Sequence, residues 1–338
     1  MEENYQAWDI KIDDFFTRAS NADRLKFLIR FAVLAPSSHN SQPWEFEIYD
    51  NKILISLEPS RLLPVGDANN RQAIISLGCA AQNILIAADY YGYKPKLNFI
   101  GDGSFIAEIV PGESGTPKND PRHLIFSIPK RVTNRGKYEA GPLPSELTEY
   151  IKQLGSDDLK IHVITDQDTK NKLADVTLEA GIAAMDNPAF RLELSHHVKN
   201  NWTRSNFGMP CFGLGIPTLI SFFAPLMIRK MNMNKKTRKA DEELLKQFTP
   251  GFLIIGTKED GPKSWFGAGL VFQKIALFAV KFGLSTSPWA AAIQIGEFHK
   301  DMQVIVNNNL RPQLFARLGT LVKNVSHSPR IPVNGILR

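Results

Sequence analysis

Ala35-Pro36-Ser37-Ser38-His39-Asn40-Ser41-Gln42-Pro43-Trp44 is the stretch on which the reading of the fold depends. Its prolines interrupt regular structure, and its small hydroxyl and amide residues can donate hydrogen bonds from backbone and side chain while fitting closely against a flat ligand. Taken alone, the same ten residues also suit a helix-stop loop that ends at a buried Trp. Upstream, residues 22–34 place Leu25, Leu28, Ile29, Ala32 and Val33 on one helical face that ends at Pro36. Downstream, Trp44 to Tyr49 and Ile53 to Leu57 read as strands joined by a hairpin at Asp50-Asn51-Lys52. Asp67 to Tyr91 then reads as a long helix that is apolar nearly all round, which predicts burial, with Gly92 as its C-cap. Leu97 to Ile100 and Ala107 to Val110 follow as short strands.

The turn-rich stretch Pro111 to Pro121 separates this part from the next, so the boundary is placed at residue 120, giving units 1–120 and 121–338. The second unit repeats the plan imperfectly. Ile161 to Ile164 and Gly251 to Gly256 read as strands, and Gly269 to Phe282 as a buried helix ending in Gly283. The segments Ile75 to Gly92 and Gly267 to Gly283 occupy equivalent places in the two units, with weak sequence similarity.

Composition bounds the rest. A chain of 338 residues suits two domains, and 43% hydrophobic with 22% charged residues is the content of a soluble globular protein. Cys79 and Cys211 give no disulfide framework and no thiolate metal site, and Cys79, in an apolar run, reads as a small buried residue. A reducing, cytoplasmic setting is the expectation. Met1 to Asp14 shows no signal-peptide pattern. The formal charge is +6, and much of the excess gathers in Arg229 to Lys239, a solvated surface or a site for anionic partners. No zinc finger, aromatic RNA-binding motif or basic heptad accompanies it, so nucleic acid is not an expected partner. Met209 to Ile228 approaches the length and apolarity of a membrane span, but Pro210, Pro217 and Pro225 with Gly213 and Gly215 would break its helical bonding. A buried lid or interface is the favoured reading. Together with the basic run, a docking surface for membrane quinones is the alternative.

Arg131-Val132-Thr133-Asn134-Arg135 puts Arg, hydroxyl and Arg at alternate positions, on one side of an extended segment. Alone it reads rather as a basic helix start on the surface. Ser285-Thr286-Ser287-Pro288-Trp289-Ala290 follows the buried helix of the second unit, and Trp289 suits either a site or a core. Near the end, Ser328-Pro329-Arg330 follows Ala316-Arg317-Leu318-Gly319. There is no Gly-x-Gly-x-x-Gly, phosphate-binding Gly-Lys-Ser/Thr loop, Gly-x-Ser-x-Gly or His-Glu-x-x-His. His196-His197 lie adjacent, off a common helical face, so no metal site is expected.

These motifs together resemble the FMN-dependent nitroreductases, and the one-chain arrangement resembles the tandem, fused-dimer subgroup of the Acg type. The resemblance implies an α+β, nitroreductase-like fold in which two fused halves form a pseudo-dimer around one flavin site, with an inserted lid over about 200–240. It covers most of the chain and is weakest over about 185–245. Arg131, Thr133 and Arg135 match the family's Arg-x-Ser-x-Arg opening, with Thr for Ser, and would contact the flavin phosphate, ribityl chain and pyrimidine edge. Pro36, Ser37, Ser38, Asn40 and Gln42 match the segment that reaches over the flavin from the opposite subunit. Pro288, Trp289 and Ala290 match the loop that points N–H groups at flavin N5 and O4; Pro288 has no N–H, so Trp289 and Ala290 would donate. Ser328 and Arg330 match a Lys-x-Arg phosphate clamp, with Ser for Lys and Lys323 available to compensate.

The first half lacks an Arg-x-Ser/Thr-x-Arg motif, since Thr17-Arg18-Ala19-Ser20 has the wrong order, and 185–194 lacks Ser-Ser-x-Asn-x-Gln-Pro. One composite site is therefore expected, its mate lost. The implied activity is two-step hydride transfer from NADPH or NADH through FMN to a quinone or nitroaromatic acceptor, with no catalytic side chain required. The alternative is FMN storage or sequestration beneath a closed lid.

Overall fold

Two apolar helices cross at the centre of the molecule, and each carries a glycine where the backbones meet. The computed structural model describes residues 3–118, 120–232 and 234–338, and the side chains at 234–236, within the basic run Arg229–Lys239, lie outside the described residues. In the first unit α1 (Asn21–Ala32) precedes the hairpin β1 (Trp44–Tyr49) and β2 (Lys52–Leu57), then α2 (Arg71–Tyr90), β3 (Lys96–Phe99) and β4 (Ala107–Val110). In the second, α3 (Ser145–Gln153), β5 (Leu159–Ile164) and α4 (Gln167–Asp186) lead into an inserted module. That module comprises α5 (Pro188–His197), the short strands β6 (Val198–Lys199) and β7 (Met209–Pro210), and α6 (Thr218–Ser221), α7 (Ala224–Lys230) and α8 (Asn234–Lys246). The chain closes through β8 (Gly251–Thr257), α9 (Pro262–Val280), β9 (Leu284–Pro288), α10 (Ala291–Gln294), α11 (Phe298–Ile305) and β10 (Arg311–Thr320).

Two antiparallel sheets result, ordered β1-β2-β4-β3 and β5-β8-β10-β9, so the fold is α+β. The first hairpin turns through Asp50 and Asn51, both at positive φ (48° and 59°), the two-residue turn that matches the right-handed twist of the strands. Residues near the C-terminus return to this sheet: Phe46 N–H donates to Ile336 O (2.9 Å) and Arg338 N–H to Phe46 O (2.9 Å). The C-terminal segment and the first sheet are thus interlocked rather than merely adjacent.

An all-round apolar helix has to be covered on every side. For α2 the cover is α1, α9 and the first sheet. A Cβ added at Gly78 would lie 2.2 Å from the Phe266 carbonyl oxygen, and one at Gly269 2.0 Å from that of Ile75. A buried polar chain fixes the rotation of the helices: Gln273 Nε2 donates to Asn83 Oδ1 (2.7 Å), and Asn83 Nδ2 donates to Phe31 O (2.8 Å).

Three boundaries differ from the sequence expectation. Helix α2 starts at Arg71 rather than Asp67, because the Asp67 carboxylate accepts from the Gln72 and Ala73 N–H groups and so caps the helix from outside. Helix α9 starts at Pro262, seven residues before Gly269, because Pro suits the first turn and both Trp265 and Phe266 find burial. Residues Leu284–Pro288 form a strand, not a loop, paired with β10.

The segment Met209 to Ile228 is not buried throughout. Met209, Cys211 and Ala224 close a small core with Val198, whereas Leu219, Ile220, Phe222, Phe223 and Leu226 stand exposed. Repeated Pro and Gly break the segment into a 3-10 turn and two short helices, which cannot turn all their apolar residues to one side.

Replacing Gly78 or Gly269 with Ala should cost about 3 kcal/mol or more, since backbone rather than a flexible side chain occupies the space. Denaturant unfolding of either variant checks this; a loss within 0.5 kcal/mol, the range of an ordinary surface change, would remove the crossing as a constraint.

Candidate functional site

A cavity of about 480 Å³ lies where the two units and the inserted module meet, within the usual range for small-molecule sites. Its floor is one face of α2, Gln72, Ile75, Ser76 and Cys79, spaced at helical intervals, together with Phe272 of α9. Pro36, Ser37, Ser38 and His39 form one wall. Thr133 and Arg135 form another, continued by Ser287, Pro288, Trp289 and Ala290. The inserted module closes the remaining side with Leu194, Met209 and Leu214, and Asp241 and Leu244 of α8 complete it.

The first wall is held under backbone strain. His39, Asn40 and Gln42 all take positive φ (51°, 54° and 54°), uncommon for residues other than glycine. Such strain persists only where surroundings over-determine it. Here Asn40 Nδ2 donates to the carbonyls of Gly208 and Pro329 (both 2.9 Å), while its Oδ1 accepts from Arg330 Nη1 (2.6 Å). Gln42 Nε2 donates to Asn206 O (2.8 Å), and its Oε1 accepts from Ile331 N–H (2.9 Å). Ser37 Oγ accepts from Gln42 N–H (3.0 Å). Asn40 and Gln42 therefore stand off the cavity wall and lash the loop to the inserted module and the C-terminal segment.

The second wall is aligned by β9: Thr133 bridges Thr286 in parallel, and Ser285 Oγ donates to Val132 O (2.8 Å). Alternation then turns Thr133 and Arg135 toward the cavity. Arg131 sits behind them, its guanidinium donating to Thr133 Oγ1 (3.2 Å) and Leu34 O (3.3 Å). Arg330 lies further back, donating to Ala35 O (3.2 Å) and Pro329 O (3.0 Å) and standing 4.9 Å over the Trp8 ring. Ser328 contributes its carbonyl, which accepts from Trp8 Nε1 (2.9 Å), and Lys323 is exposed.

Neither Arg131 nor Arg330 pairs with a carboxylate among the described residues, and the Nε of each is buried without a partner. Arg135 makes no hydrogen bond or ion pair among them. Burial pushes Arg131 down to about 10, and lowers Arg135 and Arg330, the last also because Arg131 lies near it.

Sequence reasoning missed several wall residues. Ser287 Oγ is buried and unpartnered at the cavity, as is His39 Nδ1. Burial, then the nearby His197 and Arg135, pushes His39 down to about 3, so it is neutral near neutral pH. Burial raises the Asp241 carboxyl to about 6, against the pull of Arg317. Polar Gln72 and Ser76 on an otherwise apolar helix were a legible signal; Asp241, inside the charged stretch Lys239-Ala240-Asp241-Glu242-Glu243, carried none. One expected donor is spent elsewhere: Trp289 N–H donates to Phe315 O (2.9 Å), leaving Ala290 N–H without a backbone partner among the described residues. The cause is that β9 pairs with β10, so the register that positions Trp289 also consumes its N–H.

No family model matches the chain. A Mycobacterium tuberculosis protein named "Putative NAD(P)H nitroreductase acg" is 32% identical over 325 residues, which cover 92% of this chain and 93% of that one. A second protein of that organism, likewise named as an NAD(P)H nitroreductase, is 27% identical over 130 residues, and the chain spans only 38% of its length. Among solved structures, the FMN-dependent nitroreductase NfnB from Mycobacterium smegmatis, in complex with NADPH, matches at a TM-score of 0.39 and 14% identity, over 62% of this chain and 90% of that one. On the strength of the full-length relative at 32% identity, the chain belongs to the nitroreductase family.

Proposed function

We propose that the cavity binds FMN and that the protein is an NAD(P)H-dependent oxidoreductase of nitroreductase type, built as a tandem chain of the Acg kind with one composite site. The observation that carries this reading is that segments from both units, Pro36–Ser38 and Thr133–Arg135 with Ser287–Ala290, face a single cavity. The residues fit the group. Burying a guanidinium without a counter-charge is costly, and Arg135 at the cavity wall, with Arg131 and Arg330 behind it, suits a ligand that brings negative charge. Ser287 Oγ and Ala290 N–H are free to meet a flavin edge, and the apolar Ile75, Phe272 and Leu244 suit its ring. Bound flavin would take hydride from NADPH or NADH and deliver electrons to a quinone or nitroaromatic acceptor.

The chain's own residues bind, orient and protonate. Arg135 holds charge at the wall, with Thr133 beside it and Arg131 behind. Ser287 and Ala290 fix the ring edge where charge develops. Asp241, protonated below about pH 6, is placed to give a proton to an acceptor in the cavity. Both cysteines are free and buried, in keeping with a reducing, cytoplasmic setting.

A second reading is FMN sequestration, and the inserted module favours it: Leu194, Met209, Leu214, Asp241 and Leu244 occupy one whole side of the cavity, where a nicotinamide could otherwise approach. An anaerobic absorption spectrum of the flavin-loaded protein, before and after NADPH, separates the two. Prompt bleaching of one FMN per chain supports the reductase; a flavin that stays oxidised supports sequestration; failure to take up FMN overturns both.

Arg135→Ala should weaken FMN binding about tenfold or more, the size of a lost charge-assisted hydrogen bond; titration by flavin fluorescence quenching checks it, and an unchanged dissociation constant would remove Arg135 from the site. Asp241 has a folded-state value raised above its ordinary 3.8, so the folded protein holds this proton more tightly than the unfolded chain does. Its contribution to stability is therefore most favourable at low pH and is lost as pH rises from about 4 through about 6. In the flavin-free protein, Asp241→Asn should raise the melting temperature above that of the wild type at pH 8, with the gap closing by pH 4. A gap that does not change between those pH values would place the carboxyl in water.

A further inference from the structure

The outer face of the inserted module is apolar to a degree that the rest of the surface is not. Leu219 is 78% exposed and Phe223 63%, and Ile220, Phe222 and Leu226 stand exposed between and beside them. Trp202, 59% exposed, reaches this face through its ring contact with Phe222 (centroids 4.9 Å apart). The opposite side of the same module packs a small core of Val198, Met209, Cys211 and Ala224 and lines the cavity through Leu194, Met209 and Leu214. The module therefore has two apolar sides, only one of which the chain itself covers. Contiguous exposed apolar surface on a soluble protein marks an interaction site.

The charge around this face identifies what covers it. From Leu194 to Ala240 the sequence holds eight Lys and Arg residues and no Asp or Glu. The other residues hold 32 basic against 34 acidic groups, so the whole positive excess of the chain belongs to this one segment. Arg229 and Lys230 are exposed and follow directly on the apolar face. A second copy docking the same patch about a two-fold axis would set this basic surface against itself. An anionic lipid surface instead accepts the aromatic and aliphatic side chains at its interface and the cations at its head groups.

We propose that the exposed face formed by Trp202, Leu219, Ile220, Phe222, Phe223 and Leu226, followed by Arg229 and Lys230, docks the protein peripherally on an anionic membrane surface. The proline and glycine breaks that prevent a transmembrane helix suit this role, since the short helices leave these side chains exposed without forming a span. The inference is independent of whether the cavity holds flavin.

Flotation of the full chain with vesicles tests it, using equal parts phosphatidylcholine and phosphatidylglycerol against phosphatidylcholine alone. The protein should float with the anionic vesicles, less so at raised ionic strength, and remain at the bottom with the neutral ones. Leu219→Ser combined with Phe223→Ser should lower the bound fraction's partition coefficient about tenfold or more. Arg229→Glu with Lys230→Glu should lower binding while leaving the apolar face in place. All four positions are exposed, so melting temperatures should match the wild type and confirm that the variants fold. No flotation with anionic vesicles, or flotation unaffected by either pair, overturns the proposal. So does a concentration-dependent dimer that the Leu219→Ser, Phe223→Ser chain loses without any vesicle binding, which would make the face an interface between copies.

Discussion

The close approach of α2 and α9 at Gly78 and Gly269 is the constraint on which the rest of the molecule depends. With carbonyl oxygens about 2 Å from where a Cβ would sit on each side, neither helix can carry a side chain at the crossing. Brought this near, the pair buries the apolar circumference of both helices and sets the two sheets on either side. The same contact fixes which face of α2 is left over, and that face, Gln72, Ile75, Ser76 and Cys79, becomes the cavity floor. Packing at the centre thus decides where a ligand can lie.

Around that floor the structure accumulates features that stability alone does not reward. His39, Asn40 and Gln42 of one loop sit in left-handed backbone geometry, and Asn40 and Gln42 are held by amide bonds to segments more than 160 residues away. Arg131, Arg135 and Arg330 are drawn from solvent without carboxylate partners among the described residues. Desolvating a charge costs several kcal/mol, while a guanidinium bond to a main-chain carbonyl returns only about 1.5–3 kcal/mol. Arg330 recovers that cost through bonds to Asn40 Oδ1, Pro329 O and Ala35 O, whereas Arg135, without a hydrogen bond or ion pair among the described residues, does not. Asp241 and the neutral His39 add titratable groups whose environments drive their proton affinities apart.

The inserted module links the two surfaces of interest. It closes the cavity on its inner side and exposes apolar side chains on its outer side. Glu193 anchors its first helix by accepting from the N–H groups of Val65 and Gly66 (both 2.8 Å), and Asn40 and Gln42 grip its loop at Gly208 and Asn206. Its first helix and loop are therefore tied to the first unit by polar contacts, while α8 packs Leu245 into a core shared with Leu173, Ala174 and Phe252.

The sequence by itself determined the elements whose signals are local. Strong periodicity and turn residues located α1, the β1–β2 hairpin, α2, β4 and β8, whereas the alternation in Arg131-Val132-Thr133-Asn134-Arg135 held for Thr133 and Arg135 at the cavity but not for Arg131, which lies behind them. The grouping of the loop, the arginine segment and Pro288–Ala290 into one site came from their resemblance to the nitroreductase motifs, since each run taken alone also suits a structural role. Only the tertiary structure decided which of those residues face the cavity and which stand behind it. Asn40, Gln42 and Arg330 proved to be clamps on distant backbone, and the N–H of Trp289 proved to be committed to β10. Asp241 entered the site from a helix that reads as solvent-exposed. The physical reason is that hydrogen-bond partners and desolvation are properties of chain crossings, which a one-dimensional pattern does not contain.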